Sequence, residues 1–307
     1  MMYTGAYLGQ IVGGSGVILL SAYLPFKCLF LLVVASILAV MLFVALPLRE
    51  PKATVQSDGR RSGLAAVGDE VRNYAVRAFD AFRASRAALV TLIFVLLPAG
   101  AWAMSLSLGT NLMVEFGMSE GERSLLTFVS VLVAAGASFT GGLLADRFGR
   151  RKTLAVSVVA SALPALWMAY VMYQRGWIMS VDESAAAHSA APQLLIVSYW
   201  AVALLISAFQ GFVYTARSAL FMDICTPAVA ATQFTAYAAM VNLTIVYTST
   251  WQGCCLAKLG YPATLAIDAL LGMASLPLLL LMTRPRTSPS AAVAIAEGES
   301  QSCCDCS

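Results

Sequence analysis

Long apolar stretches separated by short polar ones dominate the chain. Eight of them approach or exceed the ~20 residues of helix that cross the ~30 Å hydrocarbon core of a bilayer. They lie at residues 3–23, 28–47, 88–113, 124–145, 153–173, 194–222, 227–252 and 262–283. The runs lack the apolar–polar alternation of strands, and in lipid a helix satisfies its own backbone polar groups. The pattern therefore predicts an all-α membrane protein with eight transmembrane helices.

Two polar loops and a polar tail interrupt this pattern. The longer loop, residues 48–87, has apolar residues at helical spacing in its second half, namely Val67, Val71, Tyr74, Ala78 and Phe82. This spacing predicts an amphipathic helix at the membrane surface, and a flexible linker is the alternative. The other loop spans residues 174–193. The tail, residues 286–307, is rich in Ser, Ala and Glu and is predicted to be disordered.

The composition supports a membrane protein and indicates how it is oriented. The chain of 307 residues is 60% hydrophobic and 11% charged, whereas soluble domains carry about 25% charged residues. Because of this apolar composition, membrane lipids are the expected surroundings. A net charge of +3 is too small to favour a nucleic-acid partner. If the loop around residues 146–152 is cytoplasmic, most of the 19 Lys and Arg residues fall on the cytoplasmic side. This bias predicts a multi-pass protein of the plasma or inner membrane with both termini in the cytoplasm.

Cysteine and histidine usage argues against a metal site and against most enzyme chemistry. The seven cysteines form no pair of CxxC motifs, and His188 is the single histidine of the sequence. We expect no metal, no cofactor and no enzymatic activity. The sequence also has no Walker motif, which argues against an ATP-driven pump.

A dense charge cluster stands out in GGLLADRFGRRKTL, residues 141–154. Gly149 permits a tight turn between two helices. The cations at 150–152 then lie in the first turn of the next helix, where they oppose the helix dipole. Anionic lipid headgroups or a partner carboxylate would stabilise them there, and a simple positive-inside anchor is the alternative.

The spacing of this hairpin resembles the signature G-x-L-x-D-R-x-G-R-[RK] of the major facilitator superfamily, found between the second and third helices of each six-helix half. The residues that fill it are Gly142, Leu144, Asp146, Arg147, Gly149, Arg150 and Arg151. In that family the hairpin is a gate. The resemblance implies that Asp146 packs against the first predicted helix around residues 2–7, and that Arg147 and Arg150 neutralise it or bridge to nearby carbonyls.

Two further stretches resemble the AmpG-like branch of that family, which includes muropeptide permeases. Residues 5–16, GAYLGQIVGGSG, are similar to its fifth helix, and residues 216–243 to its tenth-to-eleventh helix region. The resemblance implies that the eight helices correspond to helices 5–12 of twelve. The chain then divides into the last two helices of the N-terminal half (1–47), the central cytoplasmic loop (48–87), the C-terminal half (88–285) and the tail. The first four helices, or a partner chain, would be needed to enclose a substrate.

Several polar and aromatic side chains are candidates for a substrate pathway. Gln210, Tyr214 and Arg217 share one face of the sixth predicted helix. Arg217 either binds an anionic substrate group or pairs with Asp223, and we expect the pair. The seventh predicted helix carries a polar–aromatic stripe of Gln233, Tyr237, Thr244, Tyr247 and Trp251. The pathway candidates are Gln10, Asn111, Gln210, Tyr214, Arg217, Asp223, Gln233, Tyr237 and Asn242, with Trp102 and Ser105 as weaker ones.

Three further features lead to structural predictions. Gly5, Gly9 and Gly13 form a small-residue stripe that predicts close helix packing. The matching surface on the fourth predicted helix is Ala134, Ala135 and Ala137. Thr226 is expected to be the N-cap of the seventh predicted helix. Asp268 is expected at the membrane–water interface.

The function these features favour is secondary active transport by alternating access. The expected cargo is a small polar solute such as a muropeptide, a peptide or an acyl-CoA-like anion, and coupling to protons stays open. The alternatives are a membrane scaffold or sensor without transport, and an integral-membrane enzyme of cell-wall metabolism.

Overall fold

The computed structural model describes residues 2–20, 24–47, 86–105, 107–179, 191–226 and 229–282, and the single positions 72, 76, 79, 80, 82 and 83. All regular elements in this part of the chain are helical, as predicted. Most of the predicted amphipathic helix, most of the second loop and the whole tail lie outside the described residues.

The first three predicted helices are interrupted in the structure. The first consists of α1 (Met2–Gln10), a π-helical turn and α2 (Gly16–Leu20). The second consists of α3 (Phe26–Val40) followed by another π-helical turn. The third, predicted as one span, is divided into α4 (Arg86–Val95) and α5 (Ser107–Glu115), with an irregular segment between them. We call residues 96–105 the broken segment.

The remaining helices are long and form the body of the fold. They are α6 (Glu120–Phe148), α7 (Arg150–Gln174), α8 (Gln193–Ile224), α9 (Ala230–Met273) and α10 (Leu276–Leu281). The chain changes direction within α9 at Gly260, whose φ of 79° is a left-handed value that favours glycine. This kink divides the seventh from the eighth predicted helix. Five segments of the described chain are long and apolar enough to cross a membrane.

Local sequence signals set several helix ends. Ser119 and Glu122 form a reciprocal capping box at the start of α6, and Gly149, with φ of 93°, separates α6 from α7. The prediction for Thr226 is wrong, because α9 begins only at Ala230. The Thr226 N–H instead donates to Oε1 of Gln233, 2.6 Å away.

Helix α8 packs against both α6 and α7. Gly211 permits the approach to α6, because a Cβ atom at this position would lie 2.6 Å from the carbonyl oxygen of Ala134 and 3.0 Å from Cβ of Ala137. The small surface of the fourth predicted helix therefore receives α8, and its predicted pairing with the glycine stripe is wrong.

The glycine stripe of the first predicted helix has no close partner within the described residues. Gly5, Gly9 and Gly13 are exposed, and a Cβ atom at any of them would meet nothing within 4 Å. Helix α1 does contact α6. This contact uses another face of α1, so within the described residues the three glycines do not make the predicted close packing.

Two clusters of buried apolar side chains form the core. One contains Leu112, Met168 and Tyr199, and the other contains Phe94, Leu154 and Phe221. The broken segment contributes to both, with Ala101 in the first cluster and Trp102 in the second. This segment therefore lies where the two halves of the core meet.

The close approach at Gly211 predicts opposite effects for two matched substitutions. We expect Gly211→Ala to lower the free energy of unfolding by about 1–3 kcal/mol, because the added methyl group overlaps backbone atoms of α6. Gly136→Ala, also within a helix but facing open space, should be neutral or stabilising. Thermal unfolding of the two purified variants in detergent measures the difference. Equal stability of the two variants would contradict the packing at Gly211.

Candidate functional site

The broken segment leaves backbone polar groups that no helix satisfies, and side chains from other helices bind them. The Val95 carbonyl accepts a hydrogen bond from Oγ1 of Thr244 at 2.8 Å, and the Leu96 carbonyl accepts one from the Tyr247 hydroxyl. The Ala101 N–H donates to Oγ of Ser161 at 3.3 Å. Irregular backbone at membrane depth is tolerated only with such partners. Two of the five residues of the polar stripe predicted on the seventh helix, Thr244 and Tyr247, therefore support the broken segment.

Asp268 accepts hydrogen bonds from backbone N–H groups at the other end of this segment. Its Oδ2 accepts the N–H groups of Trp102 and Ala103 at 2.7 and 2.9 Å, and its Oδ1 accepts Nε2 of Gln252 at 2.7 Å. Asp268 is fully buried. The prediction that it lies at the interface is wrong, because the N–H groups exposed by the break stabilise a carboxylate inside the fold.

A polar cavity lies between the broken segment, α1 and α8. Its volume is about 240 Å³, and Tyr7, Gln10, Ser105 and Gln210 are among its lining residues. An adjoining cavity of about 290 Å³ shares Tyr7, Gln10 and Gln210 and adds Tyr214. Nε2 of Gln210 donates to the Ser105 hydroxyl across the first cavity. Three of the predicted pathway residues thus meet at one place.

Arg217 lies one turn beyond Tyr214 on α8 and is 3% exposed. Its Cζ lies 4.7 Å from the ring centre of Tyr214 and 6.0 Å from that of Trp102, so two aromatic side chains flank the guanidinium. Among the described residues it has no carboxylate partner, and its Nε has no hydrogen-bond partner. The expected pair with Asp223 is wrong, because Asp223 binds Arg150.

The remaining pathway candidates do not line the cavity. Gln233 and Tyr237 are fully buried, and they bind the backbone of Thr226 and Ala88 respectively. Asn111 and Asn242 are exposed on α5 and α9. The spacing of polar residues identified which side chains share one face of a helix. It did not show whether that face lines a cavity or makes hydrogen bonds to neighbouring backbone.

The charged hairpin joins three helix ends. Nη1 of Arg150 lies 2.5 Å from the Asp223 carboxylate and donates to the Ala219 carbonyl at 3.0 Å. Nη2 of Arg150 lies 3.8 Å from the Asp146 carboxylate. One guanidinium thus connects the end of α6 and the start of α7 to the end of α8.

The other signature residues lie around this contact. Arg147 lies over the ring of Phe148 at 5.7 Å, and Arg151 lines an open cleft of about 560 Å³ that also contains Asp146, Gly149 and Asp223. A Cβ atom at Gly142 would meet the Thr215 side chain at an ordinary 3.7 Å. Among the described residues Asp146 pairs with Arg150 and is 72% exposed, so its expected packing against the first helix is wrong.

The sequence model of the Major Facilitator Superfamily matches residues 90–301. The chain belongs to the Major Facilitator Superfamily. It is therefore a multi-pass membrane protein of a family whose members are generally transporters. The match includes the charged hairpin, the broken segment and α8. No curated protein and no solved structure matched the chain.

The sequence analysis ranked two residues of the candidate site too low and did not include a third. Trp102 and Ser105 were weaker candidates, yet both lie at the cavity or against Arg217. Asp268 was placed outside the site. Pro98 and Gly100 were the available signals, because either residue weakens a helix and together they mark where the third predicted helix breaks.

The Arg150 contact predicts a difference between two adjacent cations. We expect Arg150→Gln to lower the free energy of unfolding by about 1 kcal/mol, because it removes a partly exposed ion pair and a hydrogen bond. Arg151→Gln should have a smaller effect, since Arg151 forms no ion pair among the described residues. Thermal unfolding measures both. If Asp223→Asn lowers stability as much in the Arg150→Gln background as in the wild type, the pair does not contribute.

Proposed function

We propose that the protein is a secondary active transporter for a small polar solute that carries an anionic group. The observation that supports this is Arg217, a buried guanidinium that packs over Tyr214, a lining residue of the cavity of about 290 Å³, and that has no carboxylate partner in the described part of the chain. The finer proposal, based on the resemblance of residues 5–16 and 216–243 to the AmpG-like branch, is a muropeptide, a peptide or an acyl-CoA-like anion.

The electrostatics of Arg217 favour an anionic solute. A charge inside a transmembrane bundle is costly, and it generally faces a cavity or a partner of opposite sign. The faces of Trp102 and Tyr214 offset part of this cost, but they supply no negative charge. A carboxylate or phosphate on the solute would complete the site, and arginine binds both groups with two parallel hydrogen bonds.

The cavity lined by Gln210, which lies two turns before Arg217 on α8, suits the polar part of such a solute. Gln10 and Gln210 present amides, while Ser105 and Tyr7 present hydroxyl groups. These groups donate and accept hydrogen bonds, and the aromatic rings can stack on sugars or peptide groups. Ligand sites typically combine a few such polar groups with apolar walls, here provided by Met104, Val131 and Ile206.

The charged hairpin is proposed as the gate of this transporter. Arg150 holds the α6–α7 turn to the end of α8, the same helix that carries Gln210 and Arg217. A change in this contact is therefore a direct route from the gate to the solute site. Opening would exchange the Asp223 and Ala219 contacts for others in the alternate state.

Uptake into proteoliposomes that contain the full-length protein tests the proposal. The probes are a labelled anhydro-muropeptide, a labelled dipeptide and a labelled acyl-CoA. We expect Arg217→Gln to reduce uptake of the anionic probe about tenfold or more, because a charge-assisted contact is lost. Arg217→Lys should retain part of it. The matched control is Arg175→Gln, which changes an exposed arginine at the end of α7 and should leave uptake unchanged.

Two outcomes would contradict this function. The transport proposal is contradicted if wild-type proteoliposomes take up none of the anionic probes faster than empty liposomes do. If these probes nevertheless bind the protein, a sensor becomes the better description. Equal uptake by the wild type and by Arg217→Gln would remove Arg217 from the solute site.

A further inference from the structure

We propose that Asp268 is a positioning residue for the solute site, and that it acts by hydrogen bonding to the broken segment and not by carrying a proton. This inference rests on the proposed transport function. Asp268 does not line the cavity that holds Gln10, Ser105 and Gln210. It acts on that cavity through the backbone of Trp102 and Ala103.

The two buried charges of the described structure meet at a single residue. Within the described structure, the buried charged side chains are Arg217 and Asp268. Asp268 accepts the backbone N–H of Trp102, while Arg217 lies over the indole ring of the same residue. Trp102 therefore separates the carboxylate from the guanidinium. Its position sets the aromatic wall that Arg217 packs against.

The contact with Asp268 extends along the chain to the cavity. Ala103 begins a short 3-10 helix that ends at Ser105, and Ser105 accepts the hydrogen bond from Gln210. The N–H groups of Trp102 and Ala103 lie at the start of this turn, so the Asp268 carboxylate binds its N-terminal end. Loss of the carboxylate would release two adjacent N–H groups and let Ser105 move away from Gln210.

A second contact keeps the helix that carries Asp268 close to the break. A Cβ atom at Gly272 would lie 2.4 Å from the carbonyl oxygen of Gly100, so α9 and the broken segment approach backbone to backbone. Gly272 lies one turn after Asp268 on the same helix. The segment is thus fixed to α9 at Gly100 and at residues 102–103.

The hydrogen-bond pattern allows a neutral amide to replace the carboxylate. In Asp268→Asn, the amide oxygen can accept the N–H groups of Trp102 and Ala103 in place of Oδ2. The new amide nitrogen then faces Gln252, whose Oε1 is buried without a hydrogen-bond partner among the described residues. A rotation of the Gln252 amide lets this oxygen accept the new donor. The positioning role therefore predicts rescue by Asp268→Asn.

The experiment compares Asp268→Asn and Asp268→Ala with a control on the same helix. The control is Thr264→Ala, which removes a buried hydroxyl that, within the described structure, bonds to the Gly260 carbonyl alone. Uptake kinetics give KM and the maximal rate for the anionic probe. Thiol labelling of Ser105→Cys, in a background without the native cysteines, reports the position of the broken segment without any transport.

We expect Asp268→Ala to raise KM about tenfold and to change the labelling rate of Ser105→Cys several-fold, because two buried hydrogen bonds to a charge are lost. Asp268→Asn and Thr264→Ala should stay within about threefold of the wild type in both measurements. Adding Gln252→Leu to Asp268→Asn should abolish the rescue, since the new amide then has no acceptor. This last variant keeps the test valid if Asp268→Ala does not fold.

Three outcomes would overturn the positioning role. One is an Asp268→Asn variant that exchanges solute at equilibrium but no longer accumulates it against a gradient under a proton gradient, because this identifies a proton carrier. Another is an unchanged KM in Asp268→Ala. The third is unchanged Ser105→Cys labelling in both Asp268→Ala and the Asp268→Asn/Gln252→Leu variant. If labelling changes as expected while the wild type transports no anionic probe, the positioning role stands and the proposed function fails.

Discussion

The hydrogen bonds from the backbone of Trp102 and Ala103 to the Asp268 carboxylate are the contact on which the site depends. A helix that breaks inside a membrane exposes donors and acceptors that lipid cannot satisfy. Here the carboxylate accepts hydrogen bonds from the donors, while the hydroxyl groups of Thr244 and Tyr247 donate to the carbonyl groups of Val95 and Leu96, where α4 ends. The break is therefore a stable feature of the fold, and it brings a 3-10 helix to the cavity wall.

This arrangement explains why the cavity lies beside α8. The broken segment presents Ser105 to Gln210 and Trp102 to Arg217, two residues that lie on one face of that helix. The same helix ends at the charged hairpin, where Asp223 binds Arg150. The proposed solute contact at Arg217 and the proposed gate contact at Asp223 therefore lie on the same helix, which is what alternating access requires of the proposed transporter.

The sequence predicted the helices well because continuous apolar runs and their polar separators are local properties. The charged hairpin could also be predicted, because its turn depends on Gly149 and its charged residues are close together in the sequence. The broken segment was not predicted, because residues 96–105 are as apolar as a spanning helix. The partners of Asp268, Arg217 and Asp223 depend on contacts between residues distant in sequence. The glycines misled the prediction in the same way: their spacing indicated packing at the glycine stripe, but the close contacts lie at Gly211 and Gly272.

Protection of Ser105→Cys from thiol labelling by the solute tests the central claim most directly. If the broken segment and Arg217 form the solute site, an anionic solute that the protein transports should slow labelling at this position, and a neutral analogue should not. The protection should disappear in the Arg217→Gln background. Labelling that proceeds at the same rate with and without a transported anionic solute would contradict the account.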